Sequence, residues 1–273
     1  MLKVRGSSIV VASALVIVSA AWAAAFGEIL SSFRAPAIAG KTTTCYGVAY
    51  DGQYLWLNCT YTPNGPYVVY RCISRGGSVV SSFNCPFNDR VNGNVSYGMG
   101  WSMDGGQGGL DFAVFRYTGV AYIYRTTYTG SIVRSCWAQP IIYPRHMTSV
   151  DFDGTYYWVT DNGFNGGVYK LTTAGVCISS FETPLSNYYF KGIAVVGNYL
   201  WLSCGFWNNI VKYTTAGSAV ASFPKPGGNV YDCEYANGRL WVVANSQYVF
   251  EMSASTNPGI APASLGRVKA IYR

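Results

Sequence analysis

The heptapeptide Gly-Glu-Ile-Leu-Ser-Ser-Phe at 27–33 recurs four more times, and each later copy ends a longer unit that the first copy lacks. Gly-Ser-Val-Val-Ser-Ser-Phe fills 77–83, Gly-Ser-Ile-Val-Arg-Ser-Cys 130–136, Gly-Val-Cys-Ile-Ser-Ser-Phe 175–181 and Gly-Ser-Ala-Val-Ala-Ser-Phe 217–223, each with a proline a few residues behind. A chain that opens with the end of its own repeat is written like a ring that borrows its first strand to close. Each full unit starts with a small residue and reaches a tryptophan nine positions on: Gly47 to Trp56, Ser149 to Trp158, Gly192 to Trp201 and Asp232 to Trp241. Between them lie Asp51-Gly52, Asp153-Gly154, Gly197-Asn198 and Asn237-Gly238. These pairs suit tight hairpins, so the segment predicts strands a and b.

The second unit departs from this pattern. Gly98-Met99-Gly100-Trp101 starts it, Asp104 to Gly109 lengthens the turn, and Phe112 is expected in place of the tryptophan. Strand c follows a variable loop at 68–71, 121–125, 167–171, 210–213 and 249–252, and the Ser-Ser-Phe pattern is strand d. Five a-b-c sets and five d strands, one of them at the N-terminus, predict an all-β, five-bladed β-propeller of four-stranded antiparallel blades, closed by strand 27–33 pairing near Phe250. Closure by 268–272 is the alternative. Such units bury their faces only against neighbours, and a closed ring leaves no open edge at the seam.

Composition agrees. Of 273 residues, 31 are Gly and 23 Tyr, and 11% are charged, which favours pleated surfaces joined by turns. Residues 1–25 read as a signal peptide: Lys3 and Arg5 precede an apolar run from Ile9 to Ala21, with alanines at 21, 23, 24 and 25 for cleavage. The apolar run is short for a membrane span, so the mature chain is expected to have none and to be secreted, periplasmic or on the cell surface. Losing Lys3 and Arg5 leaves 17 Lys+Arg against 12 Asp+Glu, a charge of +5, and the remaining basic residues are scattered. That argues against a nucleic-acid partner. Residues 26–252 form the propeller, and 253–273 read as a linker and a basic tail. The chain is read as a monomer.

The units resemble those of exported bacterial propellers of the YVTN/NHL-like, virginiamycin-lyase-like and glutamine-cyclotransferase-like groups. The matching residues are the Asp-Gly turn, Tyr-Leu-Trp-Leu at 54–57 and 199–202, and Val-Tyr-Lys-Leu at 168–171, over about 27–252. The resemblance implies the fold. The lyases use His with an acidic partner and a metal; this chain has one His, so their site does not carry over, and no cyclotransferase-like catalytic segment is recognisable.

Function is expected where loops vary on a rigid frame, on the face of the d-to-a and b-to-c connections. The candidate ligand-binding residues are the groups there that break the repeat: Tyr61, Arg90, Arg145, His146, Phe206 and Trp207. Aromatic faces with a few cations suit a protein, peptide or glycan. Asp161, Asn162 and Asn165 are turn formers before cation ligands, and Asp151 with Asp153 reads as hairpin structure. No metal, cofactor or catalytic residue is expected. The leading expectation is an exported non-catalytic binding propeller, with a surface-attached scaffold and a lyase- or cyclotransferase-like enzyme as alternatives. Eight cysteines in an exported chain suggest disulfides. Folding the first hairpin about Gly52 sets Cys45 opposite Cys59, with Cys72 a competing neighbour of Cys59.

Overall fold

The computed structural model describes residues 25–254 apart from 38–39, 63–64, 88–93, 105, 117, 143–145, 164–165, 184–189 and 206–207. The segments read as signal peptide (1–24) and C-terminal tail (255–273) lie outside the described residues, as does the alternative closing strand.

Twenty strands form five four-stranded antiparallel sheets arranged as a five-bladed propeller. The chain enters with β1 (Ile29–Arg34), which belongs to the last blade. Blade 1 is β2 (Thr42–Tyr50), β3 (Tyr54–Thr62), β4 (Tyr67–Ile73) and β5 (Val79–Asn84). Blade 2 is β6 (Asn94–Asp104), β7 (Gln107–Arg116), β8 (Val120–Thr126) and β9 (Ile132–Ile142). Blade 3 runs β10 (Met147–Phe152), β11 (Tyr157–Asp161), β12 (Gly167–Leu171), β13 (Cys177–Glu182). Blade 4 runs β14 (Phe190–Val196), β15 (Tyr199–Cys204), β16 (Asn209–Thr214), β17 (Ala219–Pro224). Blade 5 is β18 (Val230–Ala236), β19 (Arg239–Ala244), β20 (Tyr248–Ser253) and, outermost, β1. Ser32 pairs with Phe250, and Gly27 N–H donates to Ser253 O at 2.8 Å, so the N-terminal strand closes the ring. No helix among the described residues is long and apolar enough to cross a membrane.

The Gly…Phe repeat has a packing cause. In four of the five blades the strand-d phenylalanine sits where a Cβ on the next blade's turn glycine would stand. Phe33 fills Gly77, Phe83 fills Gly130, Phe181 fills Gly217 and Phe223 fills Gly27, and at the last three an added Cβ would come 2.6–2.8 Å from ring or Cβ atoms. These glycines have φ between 70° and 88°, so both the empty side and the left-handed backbone require glycine.

The tryptophans are core, as expected, but the second blade differs from the reading of its sequence. Trp56, Trp158, Trp201 and Trp241 pair with Ala49, Asp151, Ala194 and Glu234 on strand a. In blade 2 the corresponding pair is Gly100 with Asp111; Phe112 pairs with Met99 and is one place off. The pairing of β6 with β7 runs on to Asp104 and Gln107, so Asp111 stands 13 residues after Gly98 where Trp56 stands nine after Gly47. Opposite the tryptophan, strand c carries a cation in blades 1, 3 and 4: Lys170 Nζ lies 4.1 Å from the Tyr156 ring and Lys212 Nζ 4.2 Å from Tyr199. Arg71 lies 3.8 Å from Tyr54 in the same way. Blade 2 turns this cation–π stack into an ion pair, Arg125 Nη1 to Asp111 Oδ2 at 2.7 Å, with both side chains buried. Gly109, where blades 1, 3 and 4 have tyrosine, leaves the room: a Cβ there would lie 3.1 Å from Arg125 Nε.

Candidate functional site

The five innermost strands β2, β6, β10, β14 and β18 ring the axis. Their inner edges carry main-chain N–H groups with no further strand to bond, and burial makes such groups costly unless something accepts from them. At one level the side chains are Gly47, Gly98, Ser149, Gly192 and Asp232. A Cβ on Gly98 would stand 2.6 Å from Ser149 Oγ, and one on Gly192 2.6 Å from Cys233 N. The strands therefore meet at main-chain distance and the level closes around one long side chain. Asp232 Oδ2 accepts from Val48 N and Met99 N at 3.0 Å each, and Oδ1 from Ser149 Oγ at 2.7 Å. One carboxylate of blade 5 thus ties blades 1, 2 and 3 across the axis.

Two residues further along each strand the side chains are Ala49, Gly100, Asp151, Ala194 and Glu234. Asp151 Oδ2 accepts from Val195 N at 2.6 Å and Oδ1 from Phe152 N at 2.7 Å. Gly100 makes space for it, since a Cβ there would come 2.8 Å from Asp151 Oδ1. Glu234 accepts from the Trp101 main-chain N–H, while its buried Oε2 has no partner. Asp151 and Glu234 are 3% and 4% exposed and lie at the base of a cleft of about 410 Å³. The walls are Tyr50, Trp101, Met103, Phe152 and Tyr235 with the turns Asp51-Gly52, Asp153-Gly154 and Asn237, and none of the lining residues is basic.

Burial dominates the acidity here. It pushes the Asp151 carboxyl up to about 7, against the pull of the Val195 and Phe152 N–H donors. Burial also holds Glu234 well above the ordinary carboxylate range, helped by the charges of Asp151 and Asp232. Asp232 is raised too, against its hydrogen bonds. The mouth therefore holds an aspartate poised near neutrality beside a glutamate raised in the same direction. Asp51 and Asp153 hold the rim in another way: Asp51 Oδ1 caps Gln53 N and Tyr54 N, and its Oδ2 accepts from Trp56 Nε1 at 2.8 Å. Asp153 does the same for Thr155, Tyr156 and Trp158.

A second cleft, of about 550 Å³, runs between blades 3 and 4 along Asp153, Tyr156, Lys170 and Asn198. It is larger, but Lys170 there is the strand-c cation already stacked on Tyr156.

Of the residues singled out in the sequence, Tyr61 is 2% exposed and packs edge-on against Tyr70 at 6.5 Å, inside blade 1. His146 is half-buried with its ring 4.0 Å from that of Phe115, its main-chain N–H bonded to Asn162 Oδ1 at 2.8 Å. Burial and Lys191 push its pKa down. Arg90, Arg145, Phe206, Trp207 and Asn165 lie outside the described residues. Asp161 caps Gly163 N at 2.9 Å and accepts from Tyr169 Oη at 2.7 Å, so it holds its loop. Among the described residues no three His, Cys, Asp or Glu side chains form a metal-binding group. Cys45 and Cys59 are register partners and both are thiols.

Asp151, read from the sequence as hairpin structure, and Glu234 lie on strands at the a-to-b turn end of the axis, away from the d-to-a and b-to-c loops where function was expected. Both residues break the repeat as plainly as any loop residue, standing where the other blades carry Ala49, Gly100 and Ala194.

No protein-family model matches the chain, and no curated protein matches it. Among solved structures it is similar to glutaminyl cyclase of Myxococcus xanthus, with a TM-score of 0.58 at 9% identity over 83% of this chain and 95% of that one. A protein of unknown function from Bacteroides caccae gives a TM-score of 0.49 at 14% identity, covering 76% of this chain and 72% of that one. A chain of a nidogen/laminin complex gives 0.47 at 10% identity, covering 73% and 72%. At such identities the likeness is one of fold. It nevertheless corrects the expectation of a non-catalytic binding propeller, because the glutaminyl cyclase likeness joins this fold to an enzyme.

Proposed function

We propose that the chain is an acid–base enzyme acting on a small amine-bearing substrate at the axial mouth. The observation that carries this reading is the pair of buried carboxyls at the base of an open cleft, with Glu234 Oε2 unpartnered. Asp151, poised at about 7, takes a proton from the attacking group, and Glu234, held by burial well above the ordinary carboxylate range, gives one to the leaving group. Four carboxyl side chains and several aromatic faces with no basic partner in the lining favour an ammonium and repel an anion. An amine attacking an amide carbonyl needs both roles: a base for the ammonium proton and an acid for departing ammonia. The glutaminyl cyclase likeness makes that reaction the first to assay.

The experiment is ammonia release from glutaminyl dipeptides and other amide-bearing peptides with a free amine. Asp151→Asn and Glu234→Gln should each lower kcat/KM roughly 100- to 10,000-fold. The rate should rise with pH on a limb near 7 for the parent. A parent chain that turns over none of these substrates, or variants that work as well as it does, would refute the proposal.

A further inference from the structure

The seam between blades 2 and 3 breaks the packing rule that the other seams follow. At the strand-d position of Phe33, Phe83, Phe181 and Phe223 stands Cys136, and its socket on blade 3 is Gly175. A Cβ on Gly175 would lie 3.5 Å from Cys136 Cβ and would overlap the Trp137 carbonyl oxygen, so here backbone meets backbone. Gln139 N–H donates to Gly175 O at 3.3 Å and fixes the approach. Two residues past this socket comes Cys177. The corresponding residues of the other blades are Ile29, Val79, Ile132 and Ala219. Of the five seams, this one alone has cysteine at both places.

The strand register puts the second thiol on the face of blade 3 that packs against the first one's cluster, where its Sγ donates to Ser179 O at 3.4 Å. A shift between Lys170 and Leu171 sets Cys177 opposite Leu171, while Phe181 pairs with Val168 on the other face. Leu171 belongs to the apolar cluster that blade 3 shares with blade 2, and Cys136 is a member of it. Cys177 packs against that same cluster. Phe181 faces the opposite way, into the blade 3–blade 4 cluster.

We propose that Cys136 and Cys177 are a disulfide site that staples blade 2 to blade 3. Cys177 is half-buried and Cys136 9% exposed, so a small disulfide reaches them, whereas Cys45, Cys59, Cys72 and Cys233 are sealed at 0%. The reaction is thiol–disulfide exchange with a low-molecular-weight disulfide such as oxidised glutathione. The Cys177 thiolate attacks a donor sulfur, the donor S–S bond breaks, and one glutathione thiolate leaves. The Cys136 thiolate then attacks the Cys177 sulfur and expels the second glutathione. Two cysteine thiols are oxidised, one donor disulfide is reduced to two thiols, and the protons lost by the cysteines are taken up by the departing glutathione thiolates.

The test uses the folded full chain, incubated with oxidised glutathione at mild alkaline pH, alkylated, and digested without reduction. Mass spectrometry should find the peptides of Cys136 and Cys177 joined. The bridge encloses about 40 residues, so the oxidised chain should melt roughly 5–15 °C above the reduced one. Cys177→Ser should abolish both the bridge and the gain, and its reduced form should melt like the reduced parent. Because Cys136 faces the core, a Cys136→Ala variant that fails to fold leaves the Cys177→Ser comparison to decide. Recovery of both thiols fully alkylated, or of Cys177 halted as a glutathione adduct beside alkylated Cys136, would overturn the proposal.

Discussion

Asp111 shows how one substitution in a repeat forces others. It stands where four blades have tryptophan, and its carboxylate accepts from Arg125, Ser102 Oγ at 2.7 Å and Tyr157 Oη at 3.0 Å. Removing one partner of a buried ion pair leaves the other charge stranded. Asp111→Asn keeps the shape and loses the charge, so urea unfolding should show a loss of about 3–5 kcal/mol. A loss under about 1 kcal/mol would mean that Arg125 finds another anion or water. Asp151 makes a prediction of opposite sign to the usual carboxylate. Its folded pKa of about 7 lies above the ordinary 3.8, so the folded chain holds a proton that the unfolded chain releases. Its stabilisation is complete below pH 4 and declines as pH climbs to about 7, by on the order of 4 kcal/mol. Glu234 and Asp232, raised in the same direction, extend the decline. His146, depressed and partly exposed, opposes it weakly below its ordinary value of 6.5. Tm should therefore fall between pH 4 and 7, and less steeply in Asp151→Asn. A Tm that climbs through this range would show these carboxyls to be hydrated and ordinary.

Among elements, the outer-strand seams and the hairpin registers carry the specificity. Gly217 has φ of 87°, and a Cβ there would lie 2.8 Å from the Phe181 ring. Gly217→Ala should cost more than about 1 kcal/mol, and adding Phe181→Ala should not restore the parent, since the backbone strain remains. Equal stability of Gly217→Ala and parent in a denaturant titration would remove the socket argument. In blade 1 the register resolves which cysteine faces Cys59. Cys45 N–H donates to Ser246 O at 2.6 Å, away from β3, so Cys45 and Cys59 are a non-hydrogen-bonded pair with Cα atoms at about 4.5 Å. Cys72 pairs with Leu55 while Cys59 pairs with Val68, four residues along β3, or about 13 Å. That is beyond the about 7 Å that a disulfide spans. Refolding the reduced chain in a glutathione buffer and mapping it without reduction should join 45 to 59 and leave 72 alkylated. A 59–72 bridge would contradict the register.

For the whole molecule, closure decides cooperativity. β1 pairs with β20 along its length, and Phe26 reaches past the seam onto Phe223 of blade 4 at 5.1 Å. Deleting 26–34 opens the edge of β20 and empties the Phe33 position against Gly77, so that chain should aggregate or unfold in more than one step. If it melts in a single transition at the parent's temperature, closure by β1 is dispensable. Asp232 joins three blades at the axis, so the ring is held at both its inner and outer rims.

The repeat, the strand order, the five blades and the N-terminal closure were legible in the sequence. Turn glycines and strand-period apolar residues act locally, and their spacing survives in one dimension. The Cys45–Cys59 register was legible for the same reason, because a short hairpin folds about its own turn. The exchange of tryptophan for Asp111 was not, since the lengthened hairpin breaks the nine-residue spacing and an aromatic residue, Phe112, stands beside the position. Nor was the axial mouth. Ser149 and Asp232 are 83 residues apart, and each looks like the small or polar start of a repeat. Only the closed ring brings β10 and β18 to one axis, strips water from Asp151 and Glu234 at the lining of the cleft, and leaves buried Glu234 Oε2 with nothing to bond. Acidity of that kind comes from burial, and burial is a property of the assembled ring rather than of any stretch of chain.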